Sequence, residues 1–437
     1  MKHKLCSFGL LAVVSIVSLI TIEVDAESDA ATESEQDLPW RELRTFTEVF
    51  AKVKNDYVEP IKDKQLLENA IRGMLTGLDP HSAYLDPEDY KGLQEGTTGE
   101  FGGLGIEVGI ENDFIKVIAP IDDTPAQRAG VKPGDVITKL DDTPVKGMSL
   151  NDAVKHMRGK PGSPITLTIV REGVEKPLEI VITRAVIKVE SVKIELLEPN
   201  FGYLRISHFQ ERTAEDLRRA LGEIKEKNKG PLQGMVLDLR NNPGGILSAA
   251  VSVADAFIDK GLIVYTEGRV EDSQLRFNAK PDDLLSGAPM VVLVNGGSAS
   301  ASEIVAGALQ DTRRGIIMGS HTFGKGSVQT ILPMSNQAAL KLTTALYYTP
   351  SGRSIQAEGI KPDIILDKVE VAVVDDDPHS LKEADLSRHL ANGKQKTKSG
   401  GAQKQARGTK SMASSDYELY EALNLLKGLA LSKPAKG

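Results

Sequence analysis

The chain has 437 residues, a formal net charge of −8, 40% hydrophobic and 26% charged residues, the balance of a soluble globular protein with room for two or three domains. An acidic chain without interleaved basic and aromatic residues excludes nonspecific nucleic-acid binding, which needs a cationic footprint. The only cysteine, Cys6, sits near the N-terminus, and the seven histidines show no HExxH or other ligand spacing. Thiolate catalysis, a metal centre and a bound cofactor are therefore not expected.

Residues 1–26 have the form of a signal peptide: Lys2 and Lys4 make a basic start, residues 5–22 are apolar, and Val24-Asp25-Ala26 offers a small-residue cleavage site. Left uncleaved, the same stretch would anchor the protein in a membrane, and either way the chemistry lies outside the cytoplasm. Residues 27–96 are a helical N-terminal region. In it Leu43, Phe46, Val49, Phe50, Val53 and Tyr57 recur at helical spacing. A second helix over 66–78 is ended by Gly77 and by Asp79-Pro80, since proline cannot continue a helix.

Residues 97–184 form a β-rich module. Short runs at 105–109, 114–118, 135–140, 165–171 and 178–182 alternate with turns such as Lys132-Pro133-Gly134-Asp135, and a single helix is predicted at 149–157. With Gly103-Leu104-Gly105-Ile106 ahead of the first run, the module resembles a PDZ domain. The resemblance implies that Gly103, Leu104, Gly105 and Ile106 hold a peptide's terminal carboxylate through their N–H groups while the peptide adds a strand to the sheet edge. Glycine in a strand otherwise marks a bulge or tight bend. His156 is placed either at that groove or in solvent, and Arg171 is assigned to a contact linking the module to the rest of the chain.

From residue 185 to 374 the pattern changes to longer elements: strands at 202–207 and 235–239, and helices at 214–225 and 246–258, the latter directly after Asn241-Asn242-Pro243-Gly244-Gly245. Alternation of strand and helix indicates an α/β core with a mainly parallel sheet. A further apolar strand at 290–294 breaks at Asn295-Gly296-Gly297 and resumes as a helix at 299–310, so Ser300 falls at a strand-to-helix turn. Both glycine-rich loops then reach one sheet edge, the usual place for a site in such folds. N–H groups of a first helical turn lack intrahelical partners and can hold a developing oxyanion. A serine needs a base, and the next glycine-framed loop, Gly324-Lys325-Gly326, supplies Lys325, followed by Gln329. In water a lysine keeps its proton up to a pKa of about 10.4, so this one must be desolvated to act as a base. Ser298, Ser300 and Ser302 could equally cap the helix, and Glu303 is expected to stabilise its first turn.

The motifs SASASEI around Ser300 and TFGKGSVQ with Lys325 and Gln329 resemble those of the carboxyl-terminal processing proteases. So do YVEP, LTGLDPHSAYLDPEDY, GIEV, LRNNPGG and YYTPSGRSIQAEGIKPD, which together span about residues 38–367. The resemblance implies a crotonase/Clp-like α/β protease core with a parallel sheet, an inserted β-rich PDZ domain, and helical N- and C-terminal segments. It implies Ser300 as nucleophile, Lys325 as general base and Gln329 orienting the lysine. The oxyanion hole would be Ala301 with Gly244 or Gly245, between which the sequence does not choose. The expected activity is that of an exported, periplasmic serine endopeptidase cutting proteins near or from their C-termini, with the PDZ domain recognising the substrate C-terminus and regulating activity. Expected partners are unfolded or tailed exported proteins, an adaptor protein, and further copies of the chain through the N- and C-terminal helices.

Two competitors are weighed against this. One is a Ser/His/Asp hydrolase drawing on His208 or His321 and Asp238 or Asp311, which lacks a GxSxG elbow. The other is an exported PDZ scaffold with an inactive protease fold. Arg205, His208 and Arg353 are candidates for lining a substrate groove. Residues 375–414, rich in Lys, Gln, Gly, Ser and Thr, are expected to be a disordered linker. Residues 415–437 return to a helical pattern, with Leu419, Leu423, Leu426 and Ala430 on one face behind a Ser415/Asp416 cap. That face needs a cover, from this chain or from another.

Overall fold

A computed structural model describes residues 38–121, 123–367, 369, 371 and 412–432. The signal-peptide segment and all of the expected linker up to residue 411 lie outside the described residues, while Met412–Ser415 forms a helical turn. The chain divides into two compact units between Ala70 and Ile71.

The first unit holds the helix Trp40–Asp56, none of whose residues is buried. Its predicted apolar stripe is real but open: Leu43, Phe46 and Val49 are 40%, 44% and 54% exposed. The next helix, Asp63–Thr76, crosses the unit boundary and stops before Gly77.

In the second unit, the β-rich module is an antiparallel sheet in the order Ile106–Glu111, Phe114–Pro120, Val136–Leu140, Pro164–Val170, Leu178–Thr183. Its inward residues, among them Ile115, Ile137, Leu140, Leu167 and Ile169, pack with Ala153 and Met157 of the helix Leu150–Met157. Ser149 caps that helix by accepting from the Asp152 N–H at 3.1 Å. The expected single helix is joined by a one-turn helix, Pro125–Arg128, started by a proline whose fixed φ suits a first helical position. The two crossings into and out of the module, Glu100–Gly103 and Ala185–Lys188, pair with each other as an antiparallel ribbon. Among the described residues, Ile106–Glu111 is an edge strand, bonded only to Phe114–Pro120.

The core contains a six-stranded sheet in the order Val192–Glu198, Phe201–Ile206, Gly234–Asp238, Met290–Val294, Ile316–Gly319, Ile364–Ile365. The first pair is antiparallel and every other pair parallel. Strands with period-two side chains feed two layers. Met235, Leu237, Met290, Val292 and Val294 face the helices Thr213–Lys227, Leu247–Asp255 and Ala301–Asp311. Val236, Val291 and Leu293 face Leu419, Ala422, Leu423 and Leu426 of the C-terminal helix Tyr417–Ser432. Burial on both sides is why Met290–Val294 is an unbroken apolar run. The apolar face of the C-terminal helix is thus covered by this chain's own sheet.

A second, antiparallel sheet is built on the long strand Ala339–Tyr348, flanked by Ala83–Leu85, Leu262–Gly268 and Ser327–Pro333. It carries the Lys325 loop on one strand and the Asp79–Ser82 turn on another, and so brings the LDPHS motif to the same place as TFGKG.

Candidate active site

The strand Met290–Val294 delivers the chain to a turn whose three serines have different fates. Ser298 is fully buried, donating from Oγ to the Leu239 carbonyl at 2.8 Å and accepting from the Asn295 N–H at 3.0 Å. Ser302 is also fully buried and donates to the Asn242 carbonyl at 2.9 Å. Both hydroxyls pin this turn to the loop after Gly234–Asp238. Ser300 is the partly exposed one. Its backbone has φ 56° and ψ −113°, a region that a residue with a Cβ rarely occupies and that costs about 1–3 kcal/mol.

The partner loop is held by Asn242, whose Nδ2 donates to the Ile206 carbonyl and whose Oδ1 accepts from the Gly244 N–H, at 2.8 and 2.9 Å. Gly244, at φ 106°, comes so close to the nucleophile turn that a Cβ there would sit 2.8 Å from Ser300 Cβ. The Gly244 N–H is therefore spent inside its own loop. Among the described residues, the N–H groups of Gly245 and Ala301 donate to nothing.

Glu303 joins the turn to the lysine loop. The sequence assigned it to the first helical turn, and its Oε2 does accept from the Ser300 N–H at 2.7 Å. The same oxygen accepts from the Lys325 N–H at 2.9 Å, while Oε1 accepts from Thr322 Oγ1 and the Gly324 N–H at 2.6 and 2.7 Å. One fully buried carboxyl thus fixes the backbones of Ser300 and Lys325 on a single oxygen. The serine–x–x–glutamate spacing signals the reach back to Ser300; nothing local signals the lysine loop. Burial pushes this carboxyl above its ordinary range, with the four donors opposing. All four bonds are donated to it, the geometry of a carboxylate.

Lys325 is half-buried. Burial holds its amine below the ordinary lysine range, helped by Lys341 and opposed by Asp79 and Glu303. The flanking glycines permit close approach: a Cβ at Gly326 would stand 2.4 Å from the Gln356 nitrogen. Tyr347, fully buried, donates from its hydroxyl to the Lys325 carbonyl and lies within hydrogen-bond reach of the Ser300 side chain. Sequence reasoning missed this tyrosine. Among the described hydrogen bonds none joins Lys325 Nζ to Ser300 Oγ or to Gln329. Gln329 donates instead from Nε2 to Ser327 Oγ at 2.8 Å and Thr343 Oγ1 at 3.3 Å.

The residues of the competing triad are engaged elsewhere. Asp238 pairs with Arg205 and Arg240 and accepts from the Tyr203 hydroxyl, and Asp311 pairs with Arg353. Among the described residues neither carboxylate supports a histidine. Burial keeps His208 below its ordinary range, and His321 is exposed. Among the described residues no group of three or more His, Cys, Asp or Glu could hold a metal ion, and no helix is long and apolar enough to cross a membrane.

In the β-rich module, Leu104 is buried at 3% exposure in the module's own core, and its carbonyl accepts from the Ala126 N–H at 3.0 Å. Gly105 needs its φ of 76°, and a Cβ there would lie 2.3 Å from Thr124. Gly103 belongs to the ribbon, opposite Ala185, and Ile106 opens the edge strand. Arg171 does not link the module to the core. Its guanidinium is spent inside the module, on both oxygens of the fully buried Asp135 at 2.7 and 2.8 Å and on the Gly130 carbonyl at 2.8 Å.

Comparison with known proteins agrees with these features. Peptidase family S41 matches residues 200–366, a PDZ domain matches 102–182, and the N-terminal domain of the activating protease CtpB matches 8–89. A carboxy-terminal-processing protease of Bartonella bacilliformis is 51% identical over 399 residues, 91% of each chain. The carboxy-terminal processing protease CtpA of Bacillus subtilis is 34% identical over 83% of this chain and 78% of its own. Among solved structures, a photosystem II D1 C-terminal processing protease is 33% identical, covers 76% of this chain and 87% of its own, and has a TM-score of 0.45. With a serine at a strand-to-helix turn, a lysine loop fixed beside it and a PDZ domain ahead of both, the chain belongs to the carboxy-terminal-processing protease family of serine peptidases.

Proposed function

We propose that this peptidase cleaves exported proteins near or from their C-termini through a Ser300/Lys325 dyad. The observation that carries the reading is the shared Glu303 oxygen, which holds the backbones of Ser300 and Lys325 together while burial lowers the lysine's proton affinity. The neutral amine takes the Ser300 proton as Oγ attacks the scissile carbonyl, then returns it to the leaving amine. Gln329 orients the amine. In a resting enzyme such hydrogen bonds are often long and tighten only with substrate. The oxyanion lies between the N–H groups of Ala301 and Gly245; Gly244 is set aside because its N–H already serves Asn242. Each such donor contributes about 3 kcal/mol to the transition state. The parallel sheet with its two loop–helix units supports a crotonase/Clp-like core.

The PDZ domain takes the substrate's C-terminus along the edge strand Ile106–Glu111, the carboxylate at the 103–106 loop, and regulates delivery to Ser300. The leader-like residues 1–26 support a periplasmic location, with membrane association if they are retained. The open stripe of Trp40–Asp56 supports self-association through that helix. An adaptor is a further expected partner.

The test is cleavage of unfolded and tailed proteins by the mature chain, with cut sites mapped by mass spectrometry and kcat/KM followed against pH. Ser300→Ala, Lys325→Ala and Lys325→Arg should all be folded and inactive, since a guanidinium keeps its proton. The base must be deprotonated, so kcat/KM should rise with pH along a limb below the ordinary lysine value of about 10.4. Turnover surviving in Lys325→Ala, or loss of activity on histidine modification, would replace the dyad with another mechanism.

A further inference from the structure

The Asp79–Ser82 turn and Thr343, neither of which the proposed mechanism uses, form a hydrogen-bond chain that ends on Gln329. Asp79 Oδ1 accepts from the N–H groups of His81 and Ser82 at 2.7 and 2.9 Å and from Thr343 Oγ1 at 3.1 Å. Its Oδ2 accepts from Ser82 Oγ at 2.6 Å. The Thr343 N–H in turn donates to Ser82 Oγ at 3.1 Å. Burial raises the Asp79 carboxyl, but the bonds from Ser82, His81 and Thr343 outweigh it and leave the group below the ordinary carboxylate range.

An ionised carboxylate can only accept, and a hydroxyl has one proton. The Thr343 proton is therefore committed to Asp79, and towards Gln329 its oxygen can only accept. The contact at 3.3 Å must be made by the Gln329 amide, whose second N–H goes to Ser327 Oγ at 2.8 Å. Both amide hydrogens are then engaged, and the carbonyl oxygen, which has no donor among the described residues, faces the other way. We infer that Thr343 is a positioning residue for the reaction: with its direction set by Asp79, it fixes which end of the Gln329 carboxamide is free to meet the Lys325 amine. This rests on the proposed reading that Gln329 orients Lys325. A carbonyl presented to the amine accepts one of its N–H groups and turns the lone pair elsewhere, towards Ser300; a flipped amide would oppose it donor to donor.

The charges around Lys325 are Lys341 on the strand Ala339–Tyr348, Glu303 on the helix Ala301–Asp311, and Asp79, with His81 beside it in the Asp79–Ser82 turn. Thr343→Val changes none of them. It keeps a β-branched residue in the strand but releases the amide. The ammonium loses a carbonyl that favoured it, so the acid limb of kcat/KM should move to lower pH while the plateau falls.

The experiment compares kcat, KM and the pH profile in Thr343→Val, Thr343→Ser, Gln329→Ala and the Thr343→Val/Gln329→Ala double variant, with Lys325→Ala as baseline and thermal unfolding as the check on folding. Thr343→Val should lose about tenfold in kcat, the scale of one hydrogen bond, with KM nearly unchanged and the acid limb displaced downwards. Thr343→Ser should restore both, and the double variant should be no slower than Gln329→Ala. If the valine variant does not fold, Thr343→Ala replaces it. Losses that multiply in the double variant, an unmoved acid limb, or failure of serine to rescue would overturn the role of Thr343 and leave the dyad intact. Full activity in Gln329→Ala would remove the glutamine and this inference with it, whereas activity in Lys325→Ala would instead sink the dyad.

Discussion

Replacing Glu303 with glutamine tests whether one carboxylate assembles the site. The side chain is fully buried and receives four donors at 2.6–2.9 Å. In the better of the two amide orientations the oxygen keeps the Ser300 and Lys325 N–H groups. The NH₂ then faces Thr322 and Gly324. The Thr322 hydroxyl, which already accepts from the Ile360 N–H at 2.7 Å, can turn to accept, but the Gly324 N–H cannot. A stranded buried N–H costs about 1–3 kcal/mol, and bonds to a neutral acceptor are roughly half as strong as those to a carboxylate. Relief from burying a charge offsets part of this, so we expect a net loss of about 2–4 kcal/mol. Glu303→Ala, which strands all four donors, should lose more. Denaturant unfolding measures the loss, and kcat should fall further than KM rises. In Glu303→Ala the backbones of Ser300 and Lys325 lose their common anchor, and in Glu303→Gln that anchor is kept only through weaker bonds to a neutral oxygen while the lysine loop loses its hold at Gly324. A Glu303→Gln enzyme within about 1 kcal/mol of the parent and with its full kcat would refute the reasoning.

Ser300→Gly should be inactive yet more stable than Ser300→Ala by about 1 kcal/mol, because only glycine occupies φ 56° without strain; equal denaturant midpoints for the two would argue against stored strain. Arg240, at 12% side-chain exposure, bonds Asp238, Asp416 and Glu418, so Arg240→Leu strands buried acid and should cost about 3–5 kcal/mol. The loss should fall on the helix Tyr417–Ser432, as faster hydrogen exchange there than in the sheet; unchanged protection of that helix would mean that its apolar face alone holds it.

What the sequence made legible was local. Ser300 at a strand-to-helix turn follows from an apolar run, a glycine break and an alanine-rich restart, all within 20 residues. The parallel sheet follows from strand–helix alternation, and the C-terminal helix from its period. The parts it hid join distant residues. Nothing near Asp79 points to Thr343, 264 positions away, and nothing near Arg240 points to Asp416. Amphipathicity says that a helix face needs covering but not by what. Tyr417–Ser432 is covered by its own sheet, while Trp40–Asp56 has no buried residue. Leu104 shows another side of this: the motif assigns its N–H to a peptide's carboxylate and says nothing of its side chain, which packs the module's core, so Leu104→Asp would test folding before it tested binding.

The site also shows why a sound fold tolerates broken local rules. Many of the positive-φ residues outside glycine are Asn or Asp, such as Asn112, Asp113, Asp141 and Asn200, for which that conformation is least costly. Ser300 has no such excuse, and it sits where a buried carboxyl, a half-buried lysine with another lysine close by, and two undonated N–H groups also converge. The strained serine, the crowded lysine and the open N–H groups each cost stability, and each suits the proposed attack on a carbonyl: a partly exposed hydroxyl, a base that would give up its proton, and donors held open for an oxyanion. Strands packed on both faces and turns pinned by Ser298, Ser302 and Asn242 over-determine the surrounding backbone, which is the condition under which such strain persists. The concentration of costly features in one loop cluster, within a core that is otherwise regular, is a physical argument for catalysis at Ser300 that does not depend on resemblance.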